Sequence, residues 1–499
     1  MRTRTRLAVS AALALTLGLT ACAPQGSTPG STNSADTSLV VGLVLEPTDL
    51  DIRHTGGIAL DQVLIDNVYE GLVARTADGQ IVDNLAASHE VSEDGLTYTF
   101  VLNDGITFHD GTAVDAALVV ASFEQIRADE AFTRAEDLAA VTTITATDDT
   151  TVTFTLSRPD STLLWNLAGR AGLVLNPSAD NELSTSAIGT GPFRLDRWKK
   201  GDSISLSRND DYWGTKAALS EVVFRYIPDF SAAINAVRAG DVDVQTSLDA
   251  TLAEQIAPSS GYEVVSGRTT DKYTLAMNNA RAPFDDVRVR EAVRLAIDHA
   301  ALIEALGGSA VPQGGPIPEL DPGYEDLTGI APHDPERART LLAEAGASEL
   351  AVTLTMPSFY SDTIGTVLTS QLKDVGITLT VNRIEFATWL NDVYTNKNYE
   401  LSMVNHAESH DFGNWANPEY YFGFANDEVS VLYAESLSAT SPEQAADALA
   451  RAARIVSENH AADWLYNTLT LTAVREGVTG FPTDSTTARL DLGAVSVTR

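Results

Sequence analysis

Two imidazoles and two carboxylates crowd into six residues, His406-Ala407-Glu408-Ser409-His410-Asp411. These are the donor types of a metal centre. An extended strand would put His406, Glu408 and His410 on one side, whereas a helix would bring His406 and His410 together. One cluster of this size is more often a hydrogen-bonded loop, so a metal held by His406 and His410 is the minor reading, and no resident cofactor is expected. The motifs GxxxxGK[ST], GxSxG and HExxH are absent from the sequence. Gly189-Thr190-Gly191 begins like a dinucleotide fingerprint, but Pro192 and Phe193 follow it and no helical pattern opens, so it reads as a turn. Scattered acids can be paired at will to imitate a glycosidase, which leaves a secreted hydrolase as a weakly supported alternative, with a surface chaperone or adhesin lacking a small ligand as the third reading. The chain reads as no enzyme, with no catalytic residue.

The one cysteine carries chemistry of another kind. Arg2, Arg4 and Arg6 precede an apolar run from Leu7 to Leu19, the charged and apolar regions of an export signal. Leu19-Thr20-Ala21-Cys22 follows directly and resembles a bacterial lipobox. That likeness implies cleavage before Cys22 and diacylglycerol on its thiol. Two acyl chains hold a protein at a bilayer stably where one does so marginally. Residues 1–21 are then a signal peptide, and 22–37, rich in Ser, Thr, Gly and Pro, a flexible tether spanning roughly 20 Å. With its sulfur acylated the chain has no thiol for a disulfide, so the exported body must rest on core burial.

The whole chain has 499 residues, enough for about three compact units at about 150 residues each. Its 68 acids against 33 Lys+Arg give a net charge of −35, which repels the phosphate backbone and argues against a nucleic-acid partner. Behind the tether, two styles of segment alternate. Strand-like runs 96–103 and 150–157 follow Asp94-Gly95 and Asp148-Asp149, good turn chemistry, and FRLDRW and SISLSR make a hairpin across Lys199-Lys200-Gly201-Asp202. Later come a strand at 273–278, helices at 286–305 and 334–345, a strand at 351–355, a helix at 361–375 and a strand at 377–381. The last three form a βαβ unit. Asp334-Pro335 and Ser441-Pro442 predict helix starts, and Gly346 and Gly376 left-handed stops. The fold class is α/β with more than one sheet.

Three long stretches carry a family likeness: 67–111 (NVYEGLVARTADGQIVDNLAASHEVSEDGLTYTFVLNDGITFHDGT), 188–214 (IGTGPFRLDRWKKGDSISLSRNDDYWG) and 273–305 (YTLAMNNARAPFDDVRVREAVRLAIDHAALIEAL). DPERARTLLAEAG, QLKDVGITL and Asn417-Pro418 add to it. Together they resemble the family 5 solute-binding proteins of ABC importers, which include oligopeptide, dipeptide and nickel-chelate receptors. The resemblance implies a two-lobed periplasmic-binding-protein-like fold with an additional subdomain in lobe I. Lobe I would comprise 38–53, 187–272 and 472–499, the subdomain 54–186, and lobe II 273–471, with the hinge near 272 and 471. It further implies capture of a peptide or similar small polar solute between the lobes, by a monomer anchored outside the cell membrane that delivers it to an ABC permease.

In peptide-binding relatives a lobe II carboxylate, shortly before an Asp-Pro pair and near a tryptophan, anchors the peptide amine. Here the pair is Asn417-Pro418, and Asn414 replaces the usual acid, while Asp411 and Glu408 lie farther upstream and Trp415 sits between; either Asp411 takes the anchoring role in a reshaped loop, or the ligand lacks a free amine. Trp415, Tyr420 and Tyr421 could supply an apolar wall. Glu46, Thr48 and Asp49 follow the first strand, where lobe I faces the cleft, and Asn278 and Asn279 end the strand YTLAM. A metal-chelate, haem or oligosaccharide ligand is the alternative within the family, with His406 and His410 serving the first two.

Overall fold

The computed structural model describes residues 37–179, 182–257, 260–485 and 488–498. The signal, Cys22 and the tether up to residue 36 lie outside the described residues. Among those described, no helix is long and apolar enough to cross a membrane.

Two large sheets carry the body. The first has seven strands in the order Tyr262–Gly267, Thr470–Arg475, Val244–Gln245, Ser38–Leu43, Glu221–Tyr226, Ser203–Arg208 and Phe193–Lys199. The second has six: Ala310–Val311, Ala462–Thr468, Lys272–Met277, Leu401–His406, Ala351–Pro357 and Thr378–Ile384. Each sheet buries its own apolar cluster, Leu39, Val41 and Phe224 in the first and Leu275, Leu354 and Leu401 in the second. Within the segment between Ser38–Leu43 and Phe193–Lys199 a four-stranded antiparallel sheet has its own apolar cluster, where Phe154 meets Phe123 edge-on at 5.0 Å, while Leu60, Val63, Tyr69 and Leu173 of the same segment pack into the core of the seven-stranded sheet.

Local chemistry accounts for most of these elements. Gly95 turns into strand Thr97–Leu102 with φ 67°, and Asp148 accepts from the N–H groups of Thr150 and Thr151 to open Thr151–Leu156. Asp334 and Ser441 cap the helices Pro335–Glu344 and Pro442–Glu458 through the N–H groups of Arg337 and Gln444. Gly346 and Gly376 take the left-handed conformation beyond helix ends, at φ 71° and 96°. The strands Ala351–Pro357 and Thr378–Ile384 pair in parallel around the helix Asp362–Asp374. The single helix expected over 286–305 is instead two, Val287–Ala296 and His299–Ala305. Ile297 is extended there, and Asp298 caps the second helix through the N–H of Ala301, a stop and start inside one apolar run.

The segment Gly189-Thr190-Gly191 is glycine-rich because of close approach. A Cβ on Gly189 would sit 1.8 Å from the carbonyl oxygen of Val68, and one on Gly191 2.5 Å from that of Asn67. Thr190 between them donates to the buried carboxylate of Glu70 at 2.8 Å.

The chain passes between the large sheets twice. It leaves the first after Gly267 and enters the second at Lys272, which pairs with His406. It returns at Leu469, because Thr470 already pairs with Gly267 in the seven-stranded sheet. The crossings are therefore 268–271 and 469, slightly ahead of the positions 272 and 471 expected from sequence.

Candidate functional site

Strand Leu401–His406 runs parallel to Ala351–Pro357 and ends at the loop 407–412. Ligands of open α/β sheets sit beyond such carboxyl ends. The antiparallel neighbour places Lys272 opposite His406, so its side chain enters the same loop. Its Nζ donates to the carbonyls of Thr270 at 3.1 Å and Glu408 at 2.8 Å, and lies 3.2 Å from Asp411 Oδ1. The Lys272 side chain is 3% exposed and that of Asp411 12%. Burial pushes Asp411 up to about 6, with Lys272 pulling it back down.

A second carboxylate lies in the field of that ammonium without pairing with it. Asp321 is buried, accepts the backbone N–H of His410 at 2.9 Å, and is likewise raised to about 6 by burial against the pull of Lys272. Its Oδ1 has no hydrogen-bond partner. Two carboxylates raised by burial therefore lie near one ammonium, with the Arg75 guanidinium adding a weaker pull on Asp321, an acidic corner that suits a further cationic group.

His410 takes a left-handed backbone, φ 59°, and its ring stacks on Trp165 with centroids 3.6 Å apart and planes 30° from parallel. Trp165 belongs to the short helix Leu163–Leu167 of the inserted segment. Arg75, from that same segment, lies 4.0 Å from the Trp165 ring centroid. Burial lowers the Arg75 guanidinium to about 9, with Arg489 adding repulsion. Its Nε has no hydrogen-bond partner, and among the described residues no carboxylate comes within salt-bridge distance of it. Arg489, by contrast, is paired with Asp66, and Arg170 with Asp61.

Two cavities flank this stack. The larger, about 270 Å³, is lined by Trp165, Asp321, His410, Asp411, Phe412 and Tyr433 among others. The smaller, about 120 Å³, is lined by Arg75, Trp165, Thr270, Arg489 and Asp491 among others. Trp165 and Gly79 face both. An acidic, partly aromatic chamber thus adjoins one where Arg75, without a salt-bridge partner, shares the wall with Arg489 and the carboxylates of Asp61 and Asp491.

The residues singled out from sequence divide sharply. Asp411 and His410 line the larger cavity. Glu408 is exposed on the same loop. His406 is buried, bonded through Nε2 to the Tyr421 hydroxyl at 3.0 Å, and driven down to about 3 by burial and then by Lys272, so it is a neutral ring. The alternation expected for His406, Glu408 and His410 stops where the strand stops, and the two histidines turn to different partners. Atoms of His406, Glu408 and Asp411 do lie within 4.8 Å of one another. Lys272 already places a positive charge there, so the donor set fits a divalent cation poorly.

Trp415 stacks on Phe422 at 4.0 Å and packs on Trp464, inside the aromatic core with the fully buried Tyr421. Tyr420 is half-buried beside Tyr394 and Phe422. Asn278 donates to the carbonyls of Lys397 and Tyr399, and Asn279 to those of Met277, Phe422 and Ala461, so both brace backbone. Glu46 receives the Trp198 indole N–H at 3.0 Å and the Gly201 N–H at 2.8 Å, tying down the hairpin turn. Asp49 accepts from Asp51 N–H and the Thr55 hydroxyl in a local turn, and the Thr48 carbonyl meets Lys200.

Sequence reading missed Lys272, Asp321, Arg75 and Trp165. Lys272 is one of only six lysines and opens a strand otherwise buried, a faint signal. Asp321 precedes Pro322 and looks like any turn acid, and Trp165 sits in an apolar run that reads as core.

Residues 80–428 match the model for the middle region of bacterial extracellular solute-binding proteins, family 5. The glutathione-binding protein GsiB of Pectobacterium atrosepticum is 30% identical over 351 residues, covering 68% of this chain and 67% of that one. Among solved structures, the ABC transporter substrate-binding protein CtaP of Listeria monocytogenes superposes with a TM-score of 0.81 at 20% identity, over 93% of this chain and 99% of that one. The periplasmic binding protein DppA of Helicobacter pylori, in complex with the peptide STSA, gives 0.72 at 22% identity, over 94% and 100%.

Proposed function

The chain belongs to the family 5 extracellular solute-binding proteins of bacteria, substrate-binding components of ABC importers, and on that premise we propose that its solutes are short peptides bearing a free amine and a carboxylate. The observation that carries this is the charge pattern of the cleft. Asp321 and Asp411 line the larger cavity, and only Asp411 pairs with Lys272, while Arg75 lacks a carboxylate partner beside the smaller one. A solute whose amine sits in the larger cavity supplies positive charge beside Asp321 and Asp411, with its carboxylate directed toward the Arg75 side of Trp165. Glutathione, the ligand named for GsiB, is itself a tripeptide with one amine and two carboxylates.

The receptor does no covalent chemistry. A solute touching both lobes stabilises their closed arrangement by its differential affinity for it, and the closed form is what the permease reads. The crossings at 268–271 and 469 serve as the hinge. Titration calorimetry of the purified full chain with dipeptides, tripeptides and glutathione tests the reading. Binding that disappears on N-acetylation of the same peptides is expected, and silence across the whole set overturns it.

The lipobox likeness supports acylation of Cys22, which keeps the receptor on the outer side of the membrane close to its permease. In cells fed an alkynyl fatty acid, the wild-type chain is expected to take up label and Cys22→Ser to take up none while shifting to the soluble fraction. Equal labelling of both would remove the anchor.

A further inference from the structure

We propose that Trp165 is a length gauge for the solute: stacked on His410, it latches the lobes together and divides the cleft into two chambers. The peptide reading above supplies the ligand class, whereas the latch stands on geometry alone.

Trp165 comes from the segment inserted between two strands of the seven-stranded sheet, and His410 from the loop that follows a strand of the six-stranded sheet. Their stack, 3.6 Å between ring centroids, therefore joins the two lobes directly. Both partners are held in place. The left-handed backbone of His410 is pinned by its N–H to Asp321 Oδ2 at 2.9 Å, and Arg75 covers Trp165 at 4.0 Å from its ring centroid. A backbone bond from Ser161 N–H to the Leu437 carbonyl, 3.0 Å, joins the lobes at the same cavity.

The two chambers, about 270 Å³ and about 120 Å³, both have Trp165 as wall. A solute confined to the larger chamber leaves the stack whole and is sealed in with its amine at Asp321 and Asp411. A longer chain must run through the place the indole occupies, and so forfeits the stack that joins the lobes, together with the Arg75 contact that braces the indole from its own side. The stack thus serves closure and length discrimination together, beside the Ser161–Leu437 bond, and short solutes are favoured because they leave it whole.

The test uses the full chain as wild type, Trp165→Ala and His410→Asn, the last chosen because asparagine tolerates a left-handed backbone. Without any ligand, small-angle scattering is expected to show both variants more open than wild type. With alanine peptides of two to six residues, wild-type affinity is expected to fall about tenfold or more beyond three residues, and Trp165→Ala to flatten that profile. Unchanged scattering in both variants overturns the latch, and an unchanged length profile overturns the gauge. Silence toward every peptide sinks the peptide reading and the gauge with it, and the scattering then decides the latch by itself.

Discussion

Replacing Lys272 with methionine is expected to destabilise the protein by about 3–5 kcal/mol near neutral pH, the cost of leaving a buried carboxylate without its counter-charge. The loss goes beyond one ion pair, because the carbonyls of Thr270 and Glu408 lose their donor as well. Thr270 lies in the 268–271 crossing and Glu408 in the loop after strand Leu401–His406, so the crossing loosens against that loop. The pH dependence separates this cause from a simple packing defect. Asp321 and Asp411 are raised to about 6 in the folded protein, so between about 4 and 6 the native state holds more protons than the unfolded chain. Their contribution to stability is full below the unfolded value and is lost as pH rises through 6. Without Lys272 both carboxyls rise further. The deficit of Lys272→Met is then largest at pH 8 and shrinks at pH 5, where the acids are protonated. Thermal melts at the two pH values check this, and an equal deficit at both would show that the charge is irrelevant.

Asp321→Asn combined with Asp411→Asn is expected to weaken binding of free-amine peptides by about 100-fold, or about 2.7 kcal/mol. Each substitution keeps the side-chain shape and removes the charge. The wild type should prefer a free peptide to its N-acetylated form, and the double variant should bind the two alike. Wild-type affinity should also fall as pH drops below about 6, where the carboxyls take protons and can no longer balance an ammonium, while the double variant stays flat over that range. Calorimetry at pH 5 and pH 7.5 gives both comparisons. Retained discrimination in the double variant would place the amine elsewhere, with Glu408 the next acid on the loop.

Much of this protein follows from short-range chemistry in the chain. Turns at Asp94-Gly95 and Lys199–Asp202, capping side chains at Asp334 and Ser441, and glycine stops at 346 and 376 depend on neighbouring residues alone, and they appear in the structure where the sequence puts them. The family motifs lie in such segments, so fold class and receptor role were legible too. The split at Ile297-Asp298 was missed because one apolar periodicity runs across it, and only the Asp298 cap distinguishes two helices from one.

The candidate site was legible at one end only. Asp411 was visible as the acid left over when Asn414 replaced the usual one, whereas Trp415 and Tyr421, chosen for the same wall, are packed in the core of the six-stranded side. Aromatic type and spacing cannot tell a wall from a core, because both need the same apolar surface. Lys272, Asp321, Arg75 and Trp165 carry no sequence pattern that links them, being joined only where the two sheets come together. Their chemistry is also a product of that meeting: burial sets how strongly each carboxyl holds its proton, and whether a charge is paired depends on which chain segment lies opposite. Local sequence determined the elements and the class of molecule, and tertiary packing decided which side chains line the cavities between the two sheets and with what charge.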